Sequence, residues 1–206
     1  MSESSPERAL VRLADLAAEI GVPWLVGGSV GLRLRGGRLD RPPRDLDLYA
    51  DADDAIRLHD RLRPYATDEP AWSETERYRS LLSHYRLEGV SVELVGDFSV
   101  RARDSVYRTE VRRTLNGMGE TYVLEGRALT LIPLGHELIF NLLRERADRA
   151  ETAAALIREA PERHLQALRR LLDQTGQTIS PAVRSEALVL AGVAAAAGDD
   201  GGEDGI

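Results

Sequence analysis

The pattern of apolar and polar residues divides the chain into two regions. Before about residue 132, short alternating or apolar runs bounded by Gly, Pro and Asp predict strands that lie between helices. After it, leucines recur at helical spacing and predict a helical region. We therefore predict an α/β (α+β) fold in which helices flank a mixed sheet. We assign residues 1–132 to one domain, 133–197 to a helical C-terminal region, and 198–206 to a disordered tail rich in Gly and Asp.

Capping and turn residues set the limits of the predicted elements. Ser5 and Pro6 begin a first helix that we extend to Ile20, and Asp51 can cap a helix that begins at Ala52. The other predictions are strands at 24–26, 45–49, 80–87, 90–95, 121–124 and 128–132, a hairpin turn at 88–89, an irregular polar segment at 67–76, a helix opened by residue 29, and helices at 134–146, up to 160, 162–174 and 181–197.

Two acidic residues alternate with leucines in the strand that contains Asp45 and Asp47. Because side chains in a strand point to alternate faces, both carboxylates lie on one face and Leu46 and Leu48 lie on the other. Crowded carboxylates repel each other unless a cation, a proton or solvent relieves them, and a hard divalent cation such as Mg²⁺ accepts oxygen ligands. A solvated sheet edge is the alternative interpretation of this pattern.

A Gly-Gly-Ser turn precedes this strand and follows a short apolar strand. Free backbone N–H groups at a helix start suit a phosphate, glycine allows close approach, and Ser29 adds a hydroxyl donor. The loop between turn and strand contains Arg41 and Arg44, which either lie near a bound triphosphate or belong to a solvated loop. The turn and the loop together predict a phosphate site, and a Gly-Gly turn without a ligand is the alternative interpretation.

The order of strand, Gly-Gly-Ser, helix, basic loop and Asp-x-Asp strand resembles the signature of the DNA polymerase β-like nucleotidyltransferases. It is most similar to the abortive-infection type toxin nucleotidyltransferases and the related antibiotic nucleotidyltransferases, strongly over Trp24 to Tyr49 and loosely elsewhere. The resemblance implies a nucleotidyltransferase-type mixed sheet, an NTP substrate and Mg²⁺. It implies catalytic and metal-binding roles for Asp45, Asp47 and a third carboxylate, and nucleotide-binding roles for Gly27, Gly28, Ser29, Arg41 and Arg44.

The third carboxylate is expected on a strand beside the Asp-x-Asp strand, as the resemblance implies. Glu93 is the candidate, because an acid inside the β run Val90 to Val95 is costly to bury without a partner. Asp97 and Glu88 are the reserves, and a solvent-facing strand glutamate is the alternative.

Composition excludes several classes of site. The chain has no Cys, which excludes disulfides and thiolate metal sites, and its four His are not at zinc-ligand spacing. No apolar run is long enough to span a bilayer and no signal pattern precedes the first helix, so we predict a cytoplasmic protein without a membrane partner. The formal charge of -7 weighs against general nucleic-acid binding, although arginines cluster between residues 101 and 113.

The predicted function is transfer of a nucleoside monophosphate from an NTP to an acceptor by a two-metal mechanism, with release of pyrophosphate. By resemblance, the acceptor is tRNA, a protein or a small molecule such as an aminoglycoside or lincosamide. A toxin of a toxin–antitoxin system would have a cognate antitoxin as its partner. The alternatives are an antibiotic-modifying enzyme and a non-catalytic nucleotide-binding module, since lysines typical of the family are absent and arginines such as Arg144, Arg146 and Arg149 would have to replace them.

Overall fold

The computed structural model describes residues 5–193 of the chain. Within this range eight strands form one mixed sheet. Its strand order is β3-β4-β5-β2-β1-β8-β7, with β6 added to β5. The pairs β2–β5 and β1–β8 are parallel and the other pairs are antiparallel, which confirms the predicted mixed sheet. The strands are β1 Leu25–Gly27, β2 Asp45–Ala50, β3 Ala71–Glu74, β4 Tyr78–Leu87, β5 Val90–Ala102, β6 Ser105–Arg108, β7 Glu120–Leu124 and β8 Arg127–Leu131.

Helices cover both faces of this sheet. The first ends at Ala17, three residues before the predicted limit, because Ile20 N bonds to Ala17 O (3.1 Å) and closes a turn. The last helix ends at Leu190, where the prediction continued to Ala197; residues 194–197 and the predicted tail 198–206 lie outside the described residues. The helices are α1 Pro6–Ala17, α2 Gly28–Leu34, α3 Ala52–Leu62, α4 Leu134–Leu143, α5 Ala147–Glu159, α6 Pro161–Gln174 and α7 Pro181–Leu190.

The two faces of the sheet support two separate hydrophobic clusters. One cluster joins Leu46 and Leu48 of β2 to leucines of α1 and α3. The other joins Tyr49 to α4, α5, α6 and α7. Because residues alternate along β2, burial of the leucines on the first side turns Asp45 and Asp47 towards α4. The core therefore fixes which face of the sheet presents the acidic residues.

Two local predictions hold only in part. Asp51 occupies the cap position of α3, but its carboxylate accepts hydrogen bonds from Val111 N (2.7 Å) and Arg112 N (3.0 Å) instead. Asp97 Oδ1 accepts the bond from the α3 amide of Ala52 (2.9 Å). The segment predicted to be irregular contains the edge strand β3, whose residues are all exposed and so show no burial alternation. No helix among residues 5–193 is long and apolar enough to cross a membrane.

Candidate active site

Three predicted acidic residues face one cavity between the sheet and α4. In the parallel pair β2–β5, Asp47 is in register with Glu93, so their side chains leave the same face of the sheet. Asp45 lies two residues earlier on that face. All three line a cavity of about 250 Å³ together with Gly28 and Glu137. The structure therefore brings together residues that are more than 40 positions apart in the sequence.

The carboxylates share this cavity without converging on one point. Among residues 5–193, no three His, Asp or Glu side chains are arranged so that they could hold a metal ion as they stand. Adjacent strands lie about 4.8 Å apart, so rotation of the side chains is enough to bring in-register carboxylates towards a shared cation.

The charge around Asp47 is not balanced. Its pKa is raised to about 7, first by burial and then by the negative charges of Asp45, Glu93 and Glu137, against which Arg149 acts only weakly. A carboxylate in this position is stabilised by binding a proton or by a nearby cation. Oxygen ligands and an excess of negative charge fit a hard divalent cation such as Mg²⁺, and Asp45, Asp47 and Glu93 are the residues that would hold it.

This charge imbalance predicts how stability depends on pH and Mg²⁺. A carboxyl pKa raised above its unfolded value means that the folded chain binds the proton more tightly, so stability falls as pH rises through about 7. We expect the melting temperature of the chelator-treated protein to fall between pH 6 and pH 8, and Mg²⁺ to restore it mainly at pH 8. Circular dichroism melts would measure both effects. An equally steep loss of stability in an Asp47→Asn variant would contradict this explanation.

The two glycines of the turn leave room for the acidic residues. Gly28 has φ +61, and a Cβ added there would lie 1.8 Å from Asp47 Oδ2. A Cβ on Gly27 would lie 2.7 Å from the ring of Tyr49 and 2.9 Å from Glu137 Oε1. Neither position has space for a side chain. The nucleotide contacts that we predicted for both glycines stay a prediction.

Glu137 of α4 is a member of this site that the sequence analysis missed. Its buried carboxylate accepts hydrogen bonds from Gly28 N (2.6 Å) and Asn141 Nδ2 (3.2 Å). Burial raises its pKa, and the bond from Gly28 and the charge of Arg35 oppose that rise. The amide of Gly28 thus bonds to Glu137 in this structure. A single acid within the apolar run of α4 was a signal of the kind that selected Glu93.

An aromatic cluster holds α4 against the sheet behind these acids. The imidazole of His136 stacks on Phe140, with ring centroids 5.1 Å apart, and its Nδ1 bonds to the hydroxyl of Tyr107 (2.8 Å). Burial, and then Arg144, lower the pKa of His136 to about 3, so the ring stays neutral. The buried cluster fixes the helix that presents Glu137 to the turn.

The predicted phosphate-binding residues line a neighbouring cavity. Ser29, Arg41 and Arg44 surround a space of about 450 Å³ that also reaches Asp45. The Oγ of Ser29 is buried and has no hydrogen-bond partner among residues 5–193. An unpaired buried hydroxyl is costly, and an anionic ligand would accept its hydrogen bond. Arg144, Arg146 and Arg149 line the carboxylate cavity. Arg146 and Arg149 also line the cavity beside Ser29.

The reserve carboxylates lie away from both cavities. Asp97 binds the start of α3, and Glu88 forms an ion pair with Arg8 (3.1 Å) at the β4–β5 turn. In the arginine-rich segment, Arg112 pairs with Asp54 (2.7 Å). These residues therefore take no part in the arrangement around Asp47.

Comparisons with known proteins bear on the family of this chain. The family model of aminoglycoside-2″-adenylyltransferase matches residues 9–134. No curated protein matches the chain. These findings confirm the resemblance to nucleotidyltransferases and to their antibiotic-modifying members that the Asp-x-Asp and Gly-Gly-Ser motifs predicted.

The chain is similar to several solved structures, and the first of those described below shares its fold. A protein from Thermotoga maritima assigned to the nucleotidyltransferases is 24% identical, with a TM-score of 0.59 over 74% of this chain and 92% of that one. A lincosamide antibiotic adenylyltransferase with bound lincomycin is 16% identical, with a TM-score of 0.48 over 75% of this chain and 99% of that one. ANT(2″)-Ia in complex with adenylyl-2″-tobramycin is 14% identical, with a TM-score of 0.44 over 90% of this chain and 98% of that one.

Proposed function

Because the chain belongs to the aminoglycoside-2″-adenylyltransferase family, we propose that it transfers a nucleoside monophosphate from an NTP to an acceptor and releases pyrophosphate. The observation that supports this most is the excess negative charge around Asp47, beside a cavity with an unpaired buried hydroxyl and several arginines. One half of the site suits a divalent cation and the other half suits a phosphate chain.

In this proposal Asp45, Asp47 and Glu93 hold Mg²⁺. When bound, the metal would neutralise charge on the α-phosphate and on the leaving pyrophosphate, and would favour the ionised form of the acceptor nucleophile. Glu137 does not join them, because its oxygens bond to Gly28 and Asn141. Its part is to hold the turn in the shape that leaves space for the Asp47 carboxylate.

The triphosphate lies in the neighbouring cavity. Ser29 Oγ donates a hydrogen bond to a phosphate oxygen, and Arg41 and Arg44 supply positive charge from the loop. Arg146 and Arg149 line both cavities and lie between the phosphates and the acidic residues. Arginine thus takes the place of the family lysines that this sequence lacks.

The reaction forms one bond and breaks one. The acceptor oxygen or nitrogen bonds to the α-phosphorus, and the bond from that phosphorus to the oxygen bridging the α- and β-phosphates breaks. The electron pair of the broken bond stays with the pyrophosphate. The proton of the acceptor passes to the carboxylate of Glu93 or Asp47, or to solvent.

The acceptor is tRNA, a protein or a small molecule, and the family membership favours a small molecule and ATP as the donor. A non-catalytic nucleotide-binding module is the second candidate, because no lysine is present for phosphate binding. A protein of that kind would bind an NTP with Mg²⁺ and would never release pyrophosphate.

The proposal can be tested by following which fraction receives the label of an α-labelled nucleotide. Purified protein would be incubated with each α-labelled NTP, Mg²⁺ and a bacterial lysate, which is then separated into RNA, protein and small molecules. Label in one fraction, absent with an Asp45→Asn/Asp47→Asn variant, would support transfer and identify the acceptor class. NTP binding by calorimetry without transfer would favour the non-catalytic module. In cells, growth arrest would indicate a toxin, and drug tolerance an antibiotic-modifying enzyme.

A further inference from the structure

An ordered histidine lies beside Glu93, on the side of the site opposite the Gly-Gly-Ser turn. His84 of β4 is the antiparallel partner of Glu93, and its Nε2 lies 4.0 Å from Glu93 Oε1. In the sheet order, β4 lies on one side of β5 and β2, and β1 with its turn lies on the other. In the proposed function the phosphates of the NTP lie on the β1 side of the site. The side of Glu93 away from those phosphates is therefore the side towards β4.

A single carboxylate fixes the orientation of this imidazole. Asp68 Oδ2 accepts a hydrogen bond from His84 Nδ1 (2.5 Å), and its Oδ1 accepts one from the backbone amide of His84 (2.6 Å). Burial raises the pKa of Asp68, but the two hydrogen bonds from His84, together with electrostatic attraction to His84 and His59, outweigh burial and lower the pKa, so the carboxylate is ionised. Since an ionised carboxylate only accepts, Nδ1 carries a proton, and Nε2 is the ring nitrogen on the side of Glu93.

The loop that holds Asp68 is anchored on both faces of the sheet. Thr67 N donates to His84 O (2.9 Å), and Ala66 forms a β-bridge with Tyr85. On the opposite face, Glu69 Oε2 bonds to His59 Nε2 (3.1 Å), and the other nitrogen of that ring bonds to the hydroxyl of Tyr85 (2.9 Å). The position of Asp68, and through it that of His84, is therefore fixed before any ligand binds.

The exposure of these groups agrees with contact to a ligand. The side chains of His84 and Glu93 are 39% and 37% exposed, and because the two residues are directly paired across β4 and β5 their side chains leave the same face of the sheet. His59, on the other face of the sheet, uses both of its ring nitrogens in bonds within the protein. His84 uses only Nδ1 in a close hydrogen bond, and its Nε2 lies 4.0 Å from Glu93 Oε1, which is longer than a hydrogen bond.

We propose that His84 contacts the acceptor, its Nε2 accepting a hydrogen bond from the hydroxyl or amine that attacks the α-phosphorus, and that Asp68 is its positioning residue. This inference rests on the proposed nucleotidyl transfer. It restricts the acceptor to a molecule whose reactive group still donates a hydrogen bond as it approaches Glu93. Neither residue was selected by the sequence analysis, because their pairing depends on the course of the loop before β3.

The kinetic test compares two replacements of the same histidine. Asparagine places a polar group near Nδ1, which can still bond to Asp68, and removes Nε2, whereas glutamine places its amide near Nε2. With α-labelled ATP, Mg²⁺ and either tobramycin or lincomycin, we expect His84→Asn to raise the acceptor KM about tenfold or more. The KM for ATP should stay unchanged, and His84→Gln should recover part of the loss.

Glu69→Gln is the matched control, since it removes a neighbouring charge from the same loop and leaves both hydrogen bonds between Asp68 and His84 in place. We expect its acceptor KM to equal that of the unaltered protein. If the unaltered protein transfers label and His84→Asn keeps a normal acceptor KM, the inference is wrong while the proposed function stands. If the unaltered protein transfers label to neither drug nor any lysate fraction, the proposed function is wrong.

The ring tautomer gives a test that needs no acceptor. Nitrogen-15 NMR of the full chain, with His84→Gln to assign the signal, distinguishes a proton on Nδ1 from a proton on Nε2. We expect the Nδ1–H form in the unaltered protein and a larger share of the Nε2–H form in Asp68→Asn. A ring with its proton on Nε2 in the unaltered protein would overturn the inference.

Discussion

Replacing Asp47 with Asn is expected to reduce nucleotidyl transfer by about a thousandfold or more. The substitution keeps the size of the side chain but removes the negative charge at the centre of the acidic group, so the cation is held weakly. Loss of metal-assisted stabilisation costs several kcal/mol of the reaction barrier, and each 1.4 kcal/mol is about tenfold in rate. Initial rates of label transfer from α-labelled ATP would measure the effect.

This variant should also be more stable than the unaltered protein when metal is removed. At pH 8 the uncompensated charge of Asp47 opposes folding, and asparagine removes that repulsion. Asp53→Asn is the matched control, because Asp53 is an exposed residue in the first turn of α3. We expect the control to keep full activity. Activity retained in Asp47→Asn would contradict the metal-binding role, and loss of folding would indicate a structural one.

Gly28→Ala is expected to reduce transfer by about a hundredfold or more and to lower the melting temperature. An added Cβ would lie 1.8 Å from Asp47 Oδ2, so the carboxylate or the turn must move. A displacement of about 1 Å in a catalytic group is enough for a hundredfold loss of rate. The backbone adds a second cost, since φ is +61 and non-glycine residues are strained there by about 1–2 kcal/mol.

Gly126→Ala separates the two effects. Gly126 lies in the turn between β7 and β8 with φ +78, and a Cβ there would meet no atom within 4 Å. This control shares the backbone strain without the contact to Asp47. We expect it to lose stability and to keep its transfer rate. Equal losses of rate in the two variants would show that Gly28 is needed only for its backbone conformation and not for the space it leaves to Asp47. Melting curves and initial rates of both proteins would be compared.

The acidic strand could be predicted from the sequence, because the prediction depends only on neighbouring residues. The alternation of Asp45 and Asp47 with two leucines determines which side chains share a face, and burial of Leu46 and Leu48 in the core bears this out. Glu93 could be selected because the cost of an unpartnered acid in an apolar strand is visible in the sequence. Its register with Asp47 is a tertiary fact that only the structure gives.

The residues that sequence analysis missed are brought to the site from distant positions. Glu137 meets Gly28 across 109 positions, and this contact depends on how α4 packs against the sheet. His84 lay in a predicted strand, but its bond to Asp68 depends on a loop that showed no periodic pattern. The edge strand β3 was missed because its residues are exposed on both faces, so its sequence has no alternation of buried apolar and exposed polar residues.

The fate of the α- and γ-phosphates of ATP distinguishes nucleotidyl transfer from phosphoryl transfer and from hydrolysis. ATP labelled at the α-phosphate and ATP labelled at the γ-phosphate would be incubated in parallel with the protein, Mg²⁺ and the lysate fraction that accepts label. We expect the α-label to become attached to the acceptor, the γ-label to leave as pyrophosphate, and both changes to disappear in Asp47→Asn. Attachment of the γ-label to the acceptor, or its release as inorganic phosphate at the same rate in both proteins, would contradict this expectation.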